Sequence, residues 1–245
     1  MRRRFQGVAN ILHFNWPLFA AAVAGAAIAI VIALAWDSPL RWLLSGIVAL
    51  AIFAVVVSLM ASWWLYDHSP LYELPWLEDD ADTKVVVNIH AGFDETSETL
   101  RLKFPEAEIF IWDFYDPARH TEASIRRARV AFPPAAGSVS ISADSLPLHD
   151  GAADVVCVFM AAHEIRQPEE RDRFFRELHR ILRPGGKVFV TEHLRDLPNA
   201  LAYSLGVLHF HPQAAWRKSF AQAGLNLMAE IKTTPLVSTF VLARA

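Results

Sequence analysis

The segment from Pro168 to Glu192 restricts the fold of this chain most, because it joins a helix to a buried strand through a sharp turn. Apolar residues recur at helical spacing in its first part, which predicts a helix with one buried face. Pro184 is expected to end that helix, and Gly185 and Gly186 are expected to supply the positive φ angles of a tight turn. The apolar residues 188–190 are typical of a buried strand. A helix that returns directly into a buried strand indicates an α/β fold.

The same alternation of strand and helix patterns extends through the chain from Lys84 onwards. Strand patterns occur at 85–89, 109–112, 139–141, 155–159, 187–191, 225–231 and 237–242. Helix patterns occur at 95–102, 117–130, 168–182 and 212–223. This order predicts an α/β fold in which helices cover both faces of a largely parallel sheet, with a hairpin-like final strand.

Two uncharged apolar runs precede this alternating part, at 17–35 and 42–66. As helices they would be roughly 28 Å and 37 Å long, which is sufficient to cross a bilayer core of about 30 Å. Trp16 and Trp36 bracket the first run, as tryptophans at a membrane interface do. The alternatives are a secretory signal and a buried pair of soluble helices, but the first run is long for a signal and a second follows at once. We therefore predict two transmembrane helices that form a hairpin.

The arginines at positions 2–4 predict a cytoplasmic N-terminus by the positive-inside rule. Because two spans return the chain to the same side, the expected location is the inner cell membrane, with the globular part in the cytoplasm. The predicted domains are a membrane anchor at 1–66, a linker at 67–83 and a globular domain at 84–245. The linker contains many apolar residues, so it is expected either to dock on the domain or to lie at the membrane interface.

Charge and composition disfavour several kinds of partner. The formal net charge is −3, which predicts no basic surface for nucleic acid. The single cysteine, Cys157, lies in an apolar run and cannot form an internal disulfide, which fits a cytosolic setting. His209 and His211 lack the spacing of a three-ligand set, so no metal is expected.

Two longer motifs carry a family resemblance. The run ELHRILRPGGKVFVTEH at 177–193 resembles the R-x-L-K-P-G-G segment of class I S-adenosylmethionine-dependent methyltransferases. The run ADSLPLHDGAADVV at 143–156 resembles that family's A-D-x-L-P-F-x-D-x-x-F-D-x-V pattern. The resemblance is greatest to the branch that includes the ubiquinone- and menaquinone-biosynthesis methyltransferases. It implies a Rossmann-like sheet, S-adenosylmethionine as the cofactor and methyl transfer as the reaction.

The loop after the first strand departs from the family pattern, which is an acidic residue followed by G-x-G-x-G. Asn88 stands in the place of the acid, His90 in that of the first glycine and Asp94 in that of the third, while Gly92 is kept. By resemblance, Asn88, His90 and Gly92 are expected to line the donor site. Two interpretations stay open, a variant loop that still binds the donor and a degenerate loop that has lost it.

The ends of the next two strands supply further donor contacts by resemblance. Asp113 would accept hydrogen bonds from the ribose hydroxyls, and Phe114 would pack against the adenine. The carboxylate of Asp144 would accept from the adenine amino group, with the backbone of Ser145 beside the ring. The alternatives are a helix-capping role for Asp113 and an ordinary loop position for Asp144.

The fourth strand is expected to end at the pocket between donor and acceptor. By resemblance Phe159 lies in the floor of that pocket. His163 and Glu164 follow it and are candidates for a general base or for orienting an acceptor hydroxyl, since a neutral imidazole suits proton removal. The alternatives are a histidine at a helix start without chemistry, and a reaction that needs only alignment of its reactants.

These features predict a membrane-anchored S-adenosylmethionine-dependent methyltransferase that acts on a lipid, quinone or other apolar small molecule. The insert at 197–210 is apolar without clean helical periodicity. By resemblance it covers the acceptor site, and beside a membrane hairpin it could also touch the bilayer. The alternative function, motivated by the altered glycine loop, is a catalytically silent scaffold.

Overall fold

The computed structural model describes residues 3–35, 38–78 and 80–244. The strands are β1 (Val85–His90), β2 (Glu108–Asp113), β3 (Ser138–Ser140), β4 (Ala153–Phe159), β5 (Leu182–His193), β6 (Leu225–Thr234) and β7 (Val237–Arg244). The α-helices are α1 (Gln6–Ala35), α2 (Leu40–Trp63), α3 (Ser97–Lys103), α4 (Ala123–Ala131), α5 (Pro168–Ile181), α6 (Leu197–Tyr203) and α7 (Gln213–Gln222). Trp36, expected at a membrane interface, lies outside the described residues.

The seven strands form one sheet in the order β3-β2-β1-β4-β5-β7-β6. Pairing is parallel from β3 through β5, whereas β7 runs antiparallel to both of its neighbours. This is the predicted Rossmann-like α/β fold, including the hairpin that closes the chain. The strand order reverses between β1 and β4, so the carboxyl ends of those strands border the crevice where such sheets bind ligands.

Pro184 and the two glycines do not form the predicted turn between helix and strand, because β5 begins at Leu182 and contains them, at an irregularity in its pairing with β4. The helix ends at Ile181, and Gly185 has a φ of +83°. Gly186 does not adopt a positive φ; a Cβ there would lie 2.9 Å from the carbonyl oxygen of Asp154. The second glycine therefore permits close approach of β4 and β5 instead of a left-handed turn.

The second helix of the sheet domain begins later than predicted. Residues 117–130 were expected to be helical, but α4 covers only Ala123–Ala131. The side chain of Asp116 accepts a hydrogen bond from the amide of Ala118, and its carbonyl accepts from the amide of His120. These bonds close a turn that satisfies the backbone locally and delays the helix.

Both N-terminal helices are apolar and exposed along most of their length, with a mean hydropathy of 2.7 in their most apolar windows. They are long and apolar enough to cross a membrane, a property that some soluble core helices and signal sequences share. Asn15 interrupts the helical geometry of α1 just before Pro17. The part of α1 before this kink contacts the sheet domain, and Phe14 there is buried.

The linker docks on the sheet domain. Leu71, Leu74, Trp76 and Leu77 are all buried in a cluster that also contains residues of β1, β4 and β5. Leu65, at the end of the second apolar run, belongs to the same cluster and is fully buried. The last turn before the linker is therefore part of the globular core.

Candidate functional site

Asp113 ends β2 and is almost fully buried. One carboxylate oxygen accepts hydrogen bonds from the amides of Gly92, at 2.8 Å, and Tyr115, at 2.9 Å. The other oxygen is paired with the guanidinium of Arg129 on α4, which also donates to the carbonyl of Gly92. Asp113 therefore joins the loop after β1 to α4, and a ribose would have to share this carboxylate with Arg129.

His90 ends β1 next to Asp113 and is buried. Its Nδ1 lies 3.8 Å from an oxygen of Asp113 and has no hydrogen-bond partner among the described residues. Burial lowers the pKa of His90 against the opposing charge of Asp113, so the ring is neutral at pH 7. An uncharged ring with a free polar nitrogen, beside the ribose-type carboxylate, can hydrogen-bond a ligand hydroxyl.

Gly92 has a φ of +84°, and a Cβ there would lie 3.1 Å from the ring of Tyr115. The one glycine that the loop retains is thus at a position that excludes other residues. Asn88 is also buried, but its amide donates to Asp94 and Ser97 and accepts from Thr96. The side chain of Asn88 therefore stabilises the loop after β1, and its amide group is already hydrogen-bonded within that loop.

A cavity of about 340 Å³ lies beside the ends of β2 and β3. It is lined by Phe114, Tyr115, Asp116, Pro117, Arg119, His120, Ser140, Ile141, Ser142, Ala143 and Glu170. Asp144 and Ser145 follow directly and are exposed. A hydrogen bond from the hydroxyl of Ser142 lowers the pKa of Asp144, which keeps that carboxylate ionised as an acceptor. The cavity has a mixed lining of apolar and polar side chains, with the carboxylate of Asp144 as an acceptor at its edge.

A second group of polar side chains lies beyond the ends of β4 and β5. His163 Nδ1 is 2.7 Å from a carboxylate oxygen of Glu192, which is fully buried at the end of β5. Its Nε2 lies 3.4 Å from Glu164, and its ring is 5.0 Å from that of His209. Arg166 also belongs to this group, and its guanidinium donates to the carbonyl of His209 at 2.6 Å. The insert at 197–210 thereby contributes a histidine to the candidate catalytic residues.

The charges in this group differ from the prediction for His163. Burial lowers its pKa, but the charges of Glu192 and Glu164 and their hydrogen bonds outweigh burial and raise the pKa to about 10. For Glu164, burial raises the pKa, and the hydrogen bond with His163 more than reverses this. At neutral pH the pair is an imidazolium beside a carboxylate, so the expected neutral imidazole is corrected to a cation. A cation at this place can stabilise negative charge on an acceptor oxygen but cannot take up its proton.

His163, Glu164 and His209 bring potential metal-ligand atoms within 4.8 Å of one another. Arg166 approaches the ring nitrogen Nδ1 of His209 to 2.6 Å. A divalent ion would add positive charge next to this guanidinium and to the imidazolium of His163, which is unfavourable. The arrangement suits an ion-pair network, and the absence of a metal stays a prediction.

The remaining predicted residue, Phe159, contacts the linker. Its ring is 5.4 Å from that of Tyr72 and belongs to the cluster under the linker. The following residue, Met160, has a φ of +48°, an uncommon conformation for a side chain other than glycine. This turn of the backbone brings His163 toward Glu192. No motif in the sequence indicates the roles of Arg129 and His209, because each depends on how a later element packs against the strand ends.

Known proteins match this part of the chain. Residues 92–190 match the methyltransferase domain family. A segment of 120 residues is 35% identical to the 23S rRNA (guanine(748)-N(1))-methyltransferase of Streptomyces fradiae. The match covers 47% of this chain and 37% of that relative, so the chain spans little more than a third of the curated protein it matches.

Residues 92–190 are therefore similar to a methyltransferase domain, and both matches support S-adenosylmethionine-dependent methyl transfer. The solved structures agree on its fold. The mitomycin 7-O-methyltransferase MmcR is 12% identical with a TM-score of 0.58, over 100% of this chain and 74% of that one. A chain from the complex of the Haloferax volcanii Trm112 methyltransferase activator with a methyltransferase is 16% identical, with a TM-score of 0.52. That match covers 74% of this chain and 90% of the other. At these identities the likeness concerns the fold alone.

S-adenosylmethionine is the cofactor of this methyltransferase domain. The residues at the ends of β1 and β2 fit the adenosine part of this cofactor. The unpartnered Nδ1 of His90 and the carboxylate of Asp113 lie side by side, buried at the ends of β1 and β2, and the cavity lined by Phe114 begins at the next residue. His90 and Asp113, both predicted from the sequence, therefore do meet at one edge of the sheet. Arg129, which pairs with the carboxylate of Asp113, was not among the predicted residues.

Proposed function

We propose that this protein is a membrane-anchored methyltransferase that acts at the cytoplasmic face of the inner membrane on a lipid, quinone or other apolar small molecule. One observation carries the proposal: the apolar helices contact the sheet domain at the carboxyl ends of its strands. Phe14 of α1 packs against Phe93, just after β1, and the hydroxyl of Tyr66 lies 2.7 Å from Nε2 of His193 at the end of β5. These contacts support an orientation in which the strand ends proposed to bind the ligands face the membrane.

In the hydrogen bond between Tyr66 and His193, the hydroxyl is the donor and the imidazole is the acceptor. Nδ1 of His193 lies 3.0 Å from the amide oxygen of Asn199 and 2.9 Å from the carbonyl of Leu236, so it carries the proton. Burial lowers the pKa of His193 to about 4, so the ring is neutral and Nε2 accepts from Tyr66. The end of the hairpin is therefore joined to the domain by a partly buried hydrogen bond.

In this proposal the protein holds and aligns its reactants. When bound, S-adenosylmethionine supplies an electrophilic methyl group. Asp113, His90 and Asp144 hold its adenosine part, with Asn88 and Gly92 shaping the loop and Phe114 at the ring. His163 orients an acceptor oxygen and stabilises its negative charge, while Glu164 holds the imidazolium in place. Alignment of nucleophile and methyl carbon can account for a large part of the rate without a base.

The test is donor binding to the full chain in phosphatidylcholine–phosphatidylglycerol nanodiscs, measured by isothermal titration with S-adenosylhomocysteine. We expect micromolar binding that Asp113→Asn weakens at least tenfold, because the ribose loses a charged acceptor. Asp150→Asn, at an exposed aspartate, should leave the affinity unchanged. Absence of binding by the folded wild-type chain at millimolar ligand would reject the enzyme and favour the scaffold.

The rRNA-modifying relative supports a second candidate, methylation of an RNA base. The two candidates differ in what receives the label from radioactive S-adenosylmethionine. We expect transfer to an organic extract of membranes and none to ribosomal RNA. Label in RNA alone would contradict the membrane substrate and favour the relative's class of acceptor.

A further inference from the structure

The insert after β5 has two faces of different character. It comprises α6 and the 3₁₀-helix Ser204–His209. Ala202 and Tyr203 pack into the cluster that contains Leu65, at the end of the second apolar run. Four leucines face solvent on the other side, with exposed fractions between 61% and 82%: Leu197, Leu201, Leu205 and Leu208. Exposed leucines at four successive turns of one short insert are unusual on a soluble surface.

The insert lies level with the domain-proximal end of the membrane helices. Ala61 and Tyr66 pack in the same cluster as Ala202 and Tyr203. Between them in the sequence, Trp63 and Trp64 are more than one-third exposed, as residues of an interfacial aromatic belt are. A bilayer that surrounds α2 therefore ends beside the insert, next to its leucines.

The insert also reaches the candidate catalytic group. His209 follows Leu208 directly, and its ring lies 5.0 Å from that of His163. Its carbonyl accepts from Arg166, which fixes this end of the insert over the strand ends. Leu208, one of the exposed leucines, and His209, which contacts the candidate catalytic group, are therefore neighbours in the chain.

We propose that Leu197, Leu201, Leu205 and Leu208 insert into the boundary between headgroups and acyl chains, and that the acceptor enters the site from the bilayer along this insert. The inference rests on the proposed function. It narrows the acceptor to an amphiphile that keeps its apolar tail in the membrane while its polar, reacting end reaches His163 and His209. An apolar face beside a span binds the interface by burying its surface in lipid.

The test is quenching of a fluorophore by brominated acyl chains, with the full chain in nanodiscs. Cys157 is the single cysteine and is fully buried, so added cysteines can be labelled selectively. Leu201→Cys and Leu205→Cys report on the insert. Ile47→Cys, on α2, reports on the hairpin. Leu102→Cys is the soluble control, since Leu102 is 78% exposed near the end of α3, which contacts the far end of the linker at Leu77.

We expect at least twofold quenching at positions 47, 201 and 205 and none at 102. Quenching at 47 without quenching at 201 and 205 would overturn this inference and leave the membrane anchor intact. No quenching at 47 would reject the anchor, and the inference with it. The double variant Leu201→Glu, Leu205→Glu should keep its affinity for S-adenosylhomocysteine and lose at least tenfold in transfer to membrane extracts. Unchanged transfer would also overturn the proposed entry route.

Discussion

At the scale of single residues, the ion pair of His163 and Glu192 makes stability depend on pH. The pKa of His163 is raised in the folded protein, to about 10 from its ordinary 6.5. The contribution of this ion pair to the free energy of unfolding is therefore complete below pH 6.5 and is lost as the pH rises toward 10. His163→Gln also leaves the buried carboxylate of Glu192 unpaired, which costs about 3–5 kcal/mol.

We expect the melting temperature of His163→Gln to lie far below that of the wild type at pH 6 and to approach it as the pH is raised toward 10. Thermal melts of the full chain in nanodiscs at a series of pH values would measure this. His149→Gln, at an exposed histidine, is the control and should follow the wild type throughout. A difference between wild type and His163→Gln that does not shrink with rising pH would contradict the ion pair.

At the scale of elements, α1 is capped by a residue about 60 positions away. The carboxylate of Asp67 accepts from the amides of Gly7, at 2.7 Å, and Val8, at 2.9 Å. These are free donors of the first helical turn, which a carboxylate satisfies as an N-cap does. The helix is close enough there that a Cβ on Gly7 would overlap Tyr66.

Asp67→Ala should cost about 0.5–2 kcal/mol, because both amides lose their acceptor. The sharper readout is hydrogen exchange, which should accelerate at Gly7 and Val8 while residues of β1 stay protected. Glu73→Gln, which changes an exposed carboxylate on the 3₁₀-helix Pro70–Glu73, should change neither rate. Equal protection of Gly7 in wild type and Asp67→Ala would contradict the capping role.

At the scale of the whole molecule, the N-terminal apolar helix α1 and the loop after β1 share a contact. Phe14 lies 5.7 Å from Phe93, which follows Gly92, and 6.0 Å from Phe132 after α4. Arg127 of α4 donates to the carbonyl of Phe14, and α4 also carries Arg129, which holds Asp113. The position of α1 is thereby connected to the residues proposed to bind the donor.

Phe14→Ala should destabilise the protein by about 3–5 kcal/mol, the usual cost of removing a buried phenylalanine. We also expect it to weaken S-adenosylhomocysteine binding several-fold, because the loop after β1 loses its packing. Phe53→Ala, which removes a phenylalanine exposed on α2, should leave binding unchanged. Wild-type affinity in a folded Phe14→Ala protein would show that the two regions are independent.

Local patterns were sufficient for the elements but not for the polar contacts between them. The strands of the sheet and the hairpin at the end of the chain follow from apolar runs separated by turn residues, since both depend on neighbours in the sequence. Helical periodicity predicts too early a start for α4, because the hydrogen bonds of Asp116 compete with the helix. The charge of His163 was misjudged because Glu192 approaches it from another strand.

The sequence by itself determined the Rossmann-like fold, the two apolar helices and the strand ends at which a donor site would form, because periodicity and strand-end motifs are local properties. Only the tertiary structure decided that Asp113 is shared with Arg129, that Asn88 is turned into its own loop, and that the linker and the start of α1 belong to the globular core. It also decided that the insert holds His209 beside His163 and leaves its leucines exposed. The physical reason is that hydrogen bonds, burial and ion pairs between distant segments depend on how the elements pack, which no single stretch of sequence specifies.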